Sequence, residues 1–364
     1  NGWVIGKGWY APHWQDKRLP TKASLDQYFD NYPVMLLSED LHTIWLNSLG
    51  LETLKPYLPP ESEDLIRGAD GKMTGVIKEK TAMACLNRIL SLSVRARAAL
   101  YQPYLEHLVQ QGYTAVCDLA LLPVAMDGGL VDQIYPEVYD YLDVHQQLPL
   151  RTYLFPFFDG DTAGFREKQR KYQGSRLTIA GGKQFFDGVI GSHTAWMKEN
   201  YQGTNHRGMP TLPPETLKAL ILTAQENQLP LRIHTIGDQA VSTAIEFLLE
   251  AKEQYGPLIN GNHCLEHLER IEASDIVKLK AAGVVASVQP SHPLMDYQKV
   301  HEDIGQRSEY MWPVKDIQQQ DIPIAFGSDS PVVKGLSPLD NLYYGMTRQT
   351  KEQQPIGGWQ PQQR

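Results

Sequence analysis

The sequence is poor in cysteine, and its few cysteines lie far apart. Cys85, Cys117 and Cys264 are the only ones in 364 residues, and no two of them have C-x-x-C spacing. A disulfide scaffold or a zinc knuckle needs a much denser cysteine pattern than this. The shortage argues against both and favours a reducing compartment, which we expect to be the cytoplasm.

Long apolar runs and an excess of basic charge are also missing. No run approaches the roughly 20 apolar residues of a membrane helix, and no basic-then-apolar signal begins the chain. The 34 Lys and Arg residues are scattered and are outnumbered by 42 Asp and Glu residues. We therefore expect neither a membrane span nor a nucleic-acid partner. Because the chain begins with Asn1 rather than Met, we expect a piece of a longer protein, and a signal peptide would lie outside it.

What the sequence does contain is an alternation of apolar, β-rich runs and amphipathic helical segments from about residue 110 onward. Helical segments such as the one ending at Gly256 separate seven runs, which begin at Tyr113, Leu150, Leu177, Leu229, Asn262, Gly283 and Ile322. This pattern predicts an α/β fold with a parallel sheet. We expect a (β/α)₈ TIM-type barrel, distorted and lacking its first strand, since seven runs are one short of closure. The eighth strand lies either before Asn1 or within the first 110 residues.

Composition divides the chain into three predicted segments. Residues 1–110 are rich in Pro, Trp and Tyr and contain short helical patterns, so we expect an α-rich insertion or cap. The tryptophans either wall a pocket over the barrel or form a small core of that segment. Residues 111–350 are the predicted barrel, and residues 351–364 are a predicted polar tail.

Ionisable side chains gather near the carboxyl ends of the apolar runs, where barrel enzymes build their active sites. His234, His267 and Asp329 are residue types that bind a divalent metal, and the aspartate can also accept a proton from water. We prefer His267 to His263 because it lies at the end of its run. Lys183 fits such a site only as a carbamate, since an ammonium group repels a cation.

Each of these residues also has a plainer interpretation. Asp329 could cap a helix, His234 could be a hydrogen-bonded core histidine, and Lys183 could be structural or phosphate-binding. Asp187 either orients substrate or a loop, or belongs to a turn before Gly188. His42 and His292 either line a substrate pocket or lie outside it.

Ten strings of the sequence resemble one protein family. They are "GWVIGKGWYAPHW", "DLHTIWLNS", "GKMTGVIKE", "GYTAVCD", "GGKQFFDG", "IHTIGDQAV", "LEHLERI", "GVVASVQPSH", "GSDSPV" and "MTRQT". In this order they resemble the metal-dependent amidohydrolase superfamily, in particular its amidohydrolase-3 branch with the YtcJ-like and N-substituted formamide deformylase-like proteins.

The resemblance implies roles for four residues. Lys183 would be a carboxylated metal ligand, His234 and His267 would be ligands from the next two strands, and Asp329 would be both ligand and general base. One or two divalent ions, most simply zinc, would be bound. The family's His-x-His pair on the first strand has no counterpart in this chain.

We therefore predict a hydrolase that cleaves a non-peptide C–N bond with metal-activated water. The substrate would be a small amide, formamide, cyclic amide or carbamate. We also hypothesise that the protein forms a homodimer. One rival prediction is a Schiff-base lyase or aldolase with Lys183 as the nucleophile. Another is a non-catalytic barrel fragment that lacks part of its metal site.

Overall fold

The structure is a computed structural model. It describes the whole chain except residues 1, 10, 12–13, 17, 39–42, 91, 127–128, 132, 331–336 and 364, and it does not describe the side chains of residues 80, 124–132 and 295–296. The chain divides into two compact units, the first formed by Asn1–Arg97 with Ala125–Gly129, the second by Ala98–Val124 with Leu130–Arg364. Among the described helices, none combines the length and the apolar character that a membrane crossing requires.

The strands are numbered β1 to β15 in chain order. They are β1 (Val4–Trp9), β2 (Val34–Ser38), β3 (Thr43–Leu46), β4 (Leu65–Arg67), β5 (Met73–Lys78), β6 (Ala115–Leu119), β7 (Val124–Met126), β8 (Gly129–Val131), β9 (Arg151–Phe155), β10 (Leu177–Ile179), β11 (Gly182–Phe185), β12 (Leu231–Thr235), β13 (Cys264–His267), β14 (Val285–Val288) and β15 (Ile324–Phe326).

The α-helices are numbered α1 to α12. They are α1 (Lys22–Asp26), α2 (Ser48–Leu54), α3 (Glu79–Ile89), α4 (Val94–Gln110), α5 (Pro136–Val144), α6 (Thr162–Lys171), α7 (Pro214–Glu226), α8 (Asp238–Tyr255), α9 (Ala273–Ala282), α10 (His292–Ile304), α11 (Val314–Gln319) and α12 (Pro338–Thr347).

The first unit contains a five-stranded sheet with the order β1-β2-β3-β5-β4, in which only β1 and β2 are parallel. Helices α2 and α3 pack on it, and Met35, Ile44 and Ile77 of the sheet lie in the shared core. The prediction of an α-rich segment missed this sheet. Strands of three to six residues carry a weak local signal, and their pairing with distant strands decides their conformation.

Three tryptophans form an aromatic cluster within the first unit. The ring centre of Trp9 lies 6.0 Å from that of Trp14 and 6.0 Å from that of Trp45, and Trp14 and Trp45 are 6.2 Å apart. Trp9 also donates its indole N–H to the Leu36 carbonyl (2.8 Å). These rings therefore pack on one another, which is the second of the two interpretations that the sequence allowed.

The second unit contains two sheets in which every paired strand is parallel, with the orders β10-β9-β6 and β11-β12-β13-β14-β15. A parallel bridge between Phe157 and Lys183 joins them. Each of the seven predicted runs contains a strand, and the run from Leu177 is divided into β10 and β11. The predicted α/β class is confirmed. In the part of the chain that the structure describes, β6 and β15 are edge strands.

Helices cover the parallel strands because their apolar residues repeat along one face. In α8 the buried positions Ala240, Ala244, Leu248 and Ala251 follow the three-to-four-residue period of a helix. Together with strand residues such as Leu231 they belong to the main hydrophobic core of this unit. Helix α8 ends at Gly256, whose φ of +75° favours glycine, as the sequence predicted.

The segment predicted as a polar tail packs within the second unit. The Gln360 side chain accepts a hydrogen bond from the Met311 backbone N–H (3.0 Å) and donates to the Ser308 carbonyl, and it is only 7% exposed. Trp359 contacts the ring of Trp312, with ring centres 5.5 Å apart. The polar composition of the segment gave no sign of this packing, because its glutamine side chains form hydrogen bonds with backbone groups instead of with solvent.

Candidate active site

Four side chains from successive strand ends form one cluster. His234 ends β12 together with Thr235, His267 is the last residue of β13, His292 begins α10 after β14, and Asp329 follows β15. The rings of His234 and His267 are 4.5 Å apart between centres, and those of His267 and His292 are 5.6 Å apart. His292 Nε2 lies 3.6 Å from Asp329 Oδ2. The parallel register thus brings together residues that are far apart in sequence.

Left-handed backbone conformations occur at two of these strand ends. His267 has a φ of +76°, Leu268 a φ of +48° and Asp329 a φ of +52°. Such conformations cost about 1–3 kcal/mol each in a residue with a side chain, and they persist where the surrounding structure fixes them. Two of the residues predicted to carry the chemistry, His267 and Asp329, have this conformation.

The hydrogen bond of His234 fixes its tautomer. Its Nε2 lies 3.0 Å from the Gly188 carbonyl, which can only accept, so Nε2 carries the proton. The lone pair is then on Nδ1, the arrangement found in histidines that bind metals. Burial lowers the pKa of His234 to about 3, with the charge of Lys183 acting in the same direction, so the ring is neutral at pH 7.

Lys183 lies on β11, the neighbour of β12, and is almost completely buried at 4% exposure. Its Nζ is 4.7 Å from the ring centre of Phe185. Burial lowers the pKa of Lys183 to about 8, although the charges of Glu266 and Asp329 oppose the shift. A larger fraction of the amine is therefore uncharged at neutral pH, which both carboxylation and nucleophilic attack require.

Asp187 is enclosed by backbone donors. Its Oδ1 accepts from Ile236 N (3.0 Å), and its Oδ2 accepts from Gly237 N (2.8 Å) and Trp196 N (3.0 Å). Burial raises its pKa to about 7, and these N–H groups act in the opposite direction. Its side chain is 0% exposed, so a substrate would have to displace the backbone to reach it. The predicted substrate contact stays a prediction, and in this structure Asp187 holds the loops after β11 and β12 together.

Glu269 is a member of the cluster that the sequence analysis missed. It is 8% exposed, and its Oε1 lies 3.5 Å from His292 Nδ1. Potential ligand atoms of His267, Glu269 and His292 all lie within 4.8 Å of one another. The string "LEHLERI" places this acid two residues after the strand-end His267, but the left-handed conformations of His267 and Leu268 mean that the side-to-side alternation of an extended chain does not apply to it.

Some buried polar atoms in the cluster have no hydrogen-bond partner. Within the described part of the chain these include His267 Nδ1, His292 Nε2 and Gln289 Oε1. An unsatisfied buried polar atom costs about 1–3 kcal/mol. Burial also lowers the pKa of His267 well below its usual value, so the ring is neutral and offers a lone pair. Neutral imidazoles and carboxylates are the donors that a divalent cation such as Zn²⁺ binds, and this set fits one.

Two further histidines lie apart from this arrangement or outside the description. His263 accepts a hydrogen bond from Leu231 N at Nδ1 (2.9 Å) and donates from Nε2 to Gln225 Oε1 (2.7 Å), so both of its nitrogens are used structurally. This agrees with the preference for His267. His42, predicted to line the pocket, lies outside the described residues.

Comparisons with known proteins agree with the geometry. The chain is 26% identical over 359 residues to Protein LONG AFTER FAR-RED 3 of Arabidopsis thaliana, covering 95% of this chain and 60% of that protein. It is 26% identical over 369 residues to YtcJ of Bacillus subtilis, covering 97% of this chain and 66% of that protein. The chain therefore spans less than two thirds of the length of these relatives.

A solved structure shows a similar fold. It is the crystal structure of an uncharacterized metal-dependent hydrolase from Pyrococcus horikoshii OT3, which matches 100% of this chain and 69% of its own with a TM-score of 0.73 at 23% identity. The profile of the Amidohydrolase family matches residues 1–364, the entire sequence. This chain belongs to the amidohydrolase family.

Proposed function

We propose that this chain carries the metal-dependent centre of a hydrolase that cleaves a non-peptide C–N bond in a small amide, formamide, cyclic amide or carbamate. The observation that carries the proposal is the cluster of His234, His267 and His292 beside Asp329. His234 and His267 are buried and neutral, and Nδ1 of His267 has no hydrogen-bond partner among the described residues. Membership of the amidohydrolase family supports the same reaction class. We further propose that the parallel strands form part of a (β/α)₈ barrel with the site at its carboxyl end.

Four residues would hold the cation in this proposal. They are His234 through Nδ1, His267, Asp329 and Lys183, the last after its amine has reacted with CO₂ to form an anionic carbamate. When bound, a divalent cation such as Zn²⁺ polarises a carbonyl group and lowers the pKa of water toward about 7. One or two ions can be accommodated by such a ligand set.

Asp329 would handle the proton. As a carboxylate it accepts a proton from the attacking water and then donates that proton to the leaving nitrogen, so that the C–N bond breaks without forming a free amide anion. The carboxylate lies at the edge of the histidine cluster, 3.6 Å from His292 Nε2, and Asp329 has a left-handed backbone conformation. Asp187 supports the site indirectly, because it fixes the loop that follows His234.

The test combines metal content with amide hydrolysis. We expect stoichiometric zinc in the purified protein and release of amine from members of a panel of amides and N-substituted formamides. Asp329→Asn should lower kcat/KM by about 10²–10⁴-fold. Asp321→Asn is the matched control, since Asp321 also has a left-handed φ (+53°) but a side chain that is 91% exposed. Undiminished hydrolysis in Asp329→Asn would refute the assigned proton transfer.

The burial of Lys183 favours a second candidate function, a Schiff-base lyase or aldolase. An amine whose pKa has fallen to about 8 is a better nucleophile than an ordinary lysine. Borohydride reduction in the presence of carbonyl compounds should then attach a stable adduct to the peptide that contains Lys183. A carbamate carbon signal from ¹³C-labelled bicarbonate, absent in Lys183→Ala, would support the hydrolase instead.

A further inference from the structure

The separation of Glu269 and His292 suits the coordination of a cation. Ligand atoms placed tetrahedrally at Zn²⁺ bond lengths of about 2.0–2.1 Å are roughly 3.3 Å from one another. Glu269 Oε1 and His292 Nδ1 are 3.5 Å apart, and His267, Glu269 and His292 each offer one ligand atom such that the three atoms lie within 4.8 Å of one another. The three side chains therefore offer three of the four ligand atoms that a tetrahedral cation site requires.

Two ring nitrogens of this group, His267 Nδ1 and His292 Nε2, lack a hydrogen-bond partner among the described residues. His267 is 6% exposed, and its Nδ1 has no hydrogen-bond partner among the described residues. The Glu269 carboxylate contacts His292, with Oε1 3.5 Å from Nδ1. Two histidines and a carboxylate are therefore held side by side, with His267 and Glu269 buried and His292 partly exposed. An unfilled lone pair on a buried atom is costly.

Asp329 lies on the opposite edge of the same imidazole. Its Oδ2 is 3.6 Å from His292 Nε2, the nitrogen that does not face Glu269. When one nitrogen of a histidine binds a metal, a carboxylate beside the other nitrogen orients the ring and strengthens the bond. The order Asp329, His292, Glu269 matches that arrangement.

We propose that His267, Glu269 and His292 form a divalent-cation site, with Asp329 orienting His292. The site rests on the metal dependence in the proposed function and deepens it, because Glu269 and His292 are ligands beyond the four named above. His267 belongs to both ligand sets. Glu269 and His292 therefore distinguish the new set, and Lys183 distinguishes the other.

The experiment measures binding of Co²⁺ to the metal-free protein, by calorimetry and by the visible absorption that a tetrahedral Co²⁺ site gives. Glu269→Gln and His292→Asn should each weaken Co²⁺ binding by about 100-fold or more, since replacing even an outer-shell partner of a metal costs about 10–100-fold. Glu269→Asp, which retains a carboxylate, should recover part of the affinity. Glu246→Gln is the control, since the Glu246 side chain is 63% exposed on α8.

Circular dichroism and melting temperature establish that each variant is folded before its affinity is compared. If Glu269→Gln and His292→Asn both bind Co²⁺ within about twofold of the original protein, while Lys183→Ala does not, the proposed ligands are wrong and the hydrolase proposal stands. Failure of the original protein to bind Co²⁺ at all overturns the cation site. The hydrolase proposal fails on a separate measurement, undiminished amide hydrolysis in Asp329→Asn.

Discussion

Replacing His263 should change how the stability of the protein depends on pH. His263 is buried and neutral: its Nδ1 accepts from Leu231 N, and its Nε2 donates to Gln225 Oε1. Burial lowers its pKa from 6.5 to about 4. His263→Asn removes the titrating ring but keeps an oxygen near the position of Nδ1, so the Leu231 N–H retains an acceptor.

The sign and size of the effect follow from the two pKa values. Below pH 6.5 the unfolded chain binds a proton at His263 that the folded chain does not bind until about pH 4. The neutral ring therefore contributes stability above pH 6.5, and this stability is lost as the pH falls through that window. Between pH 7 and pH 5 the loss from this one residue is about 2 kcal/mol, and it approaches about 3 kcal/mol at lower pH.

The assay is urea denaturation at pH 7 and pH 5, with a chelator present so that metal release does not contribute. Other buried histidines lose stability in the same direction, but they do so equally in both proteins and cancel in the difference. At pH 7 His263→Asn should be less stable by about 1–3 kcal/mol, because Gln225 loses its donor. By pH 5 the two proteins should be nearly equal. His145→Asn, at an exposed position, should follow the unsubstituted protein.

One result would refute this reasoning. If the free energies of unfolding of His263→Asn and of the unsubstituted protein fall by the same amount between pH 7 and pH 5, His263 does not resist protonation in the folded state. Its two hydrogen bonds would then be weaker than the geometry indicates.

Three further predictions concern other buried groups. Arg348→Met should cost roughly 3 kcal/mol in urea denaturation, since its guanidinium donates to three backbone carbonyls; a change below about 0.5 kcal/mol would contradict this. Asp187→Asn should lower the free energy of unfolding by about 2 kcal/mol. An altered KM at unchanged stability would contradict this and would indicate that Asp187 contacts the substrate. Burial raises the pKa of the Cys85 thiol to about 12. Cys85 should therefore be alkylated at about pH 8 only after unfolding. If mass spectrometry shows equal labelling of Cys85 in the folded and the unfolded protein, this prediction is contradicted.

Much of the fold could be predicted from local pattern. The seven apolar runs after residue 110 each contain a parallel strand because their length and composition suit burial between helices. The sheet of the first unit was missed because β2 and β3 are short, and their antiparallel pairing depends on residues far along the chain. Chemistry at strand ends could be predicted because parallel strands end on one side of the sheet.

Glu269 and Asp187 show where such reasoning stops. Both are acids two residues beyond a strand, and nothing local separates them. Glu269 turns toward His292 because His267 and Leu268 adopt left-handed conformations that only the folded environment fixes. Asp187 is instead covered by N–H groups of loops that begin far away in sequence. The roles predicted for Lys183, His234, His267 and Asp329 stay predictions that the proposed assays address.

The sequence by itself determined the α/β class, the positions of the parallel strands and the candidate residues at their ends, because these depend on periodicity and residue type over short stretches. Only the tertiary structure decided which of those residues meet. Register between β12, β13 and β14 places His234, His267 and His292 in contact, and backbone conformation adds Glu269 to them. These contacts join residues more than twenty positions apart in sequence, and such contacts are a property of packing rather than of any local pattern.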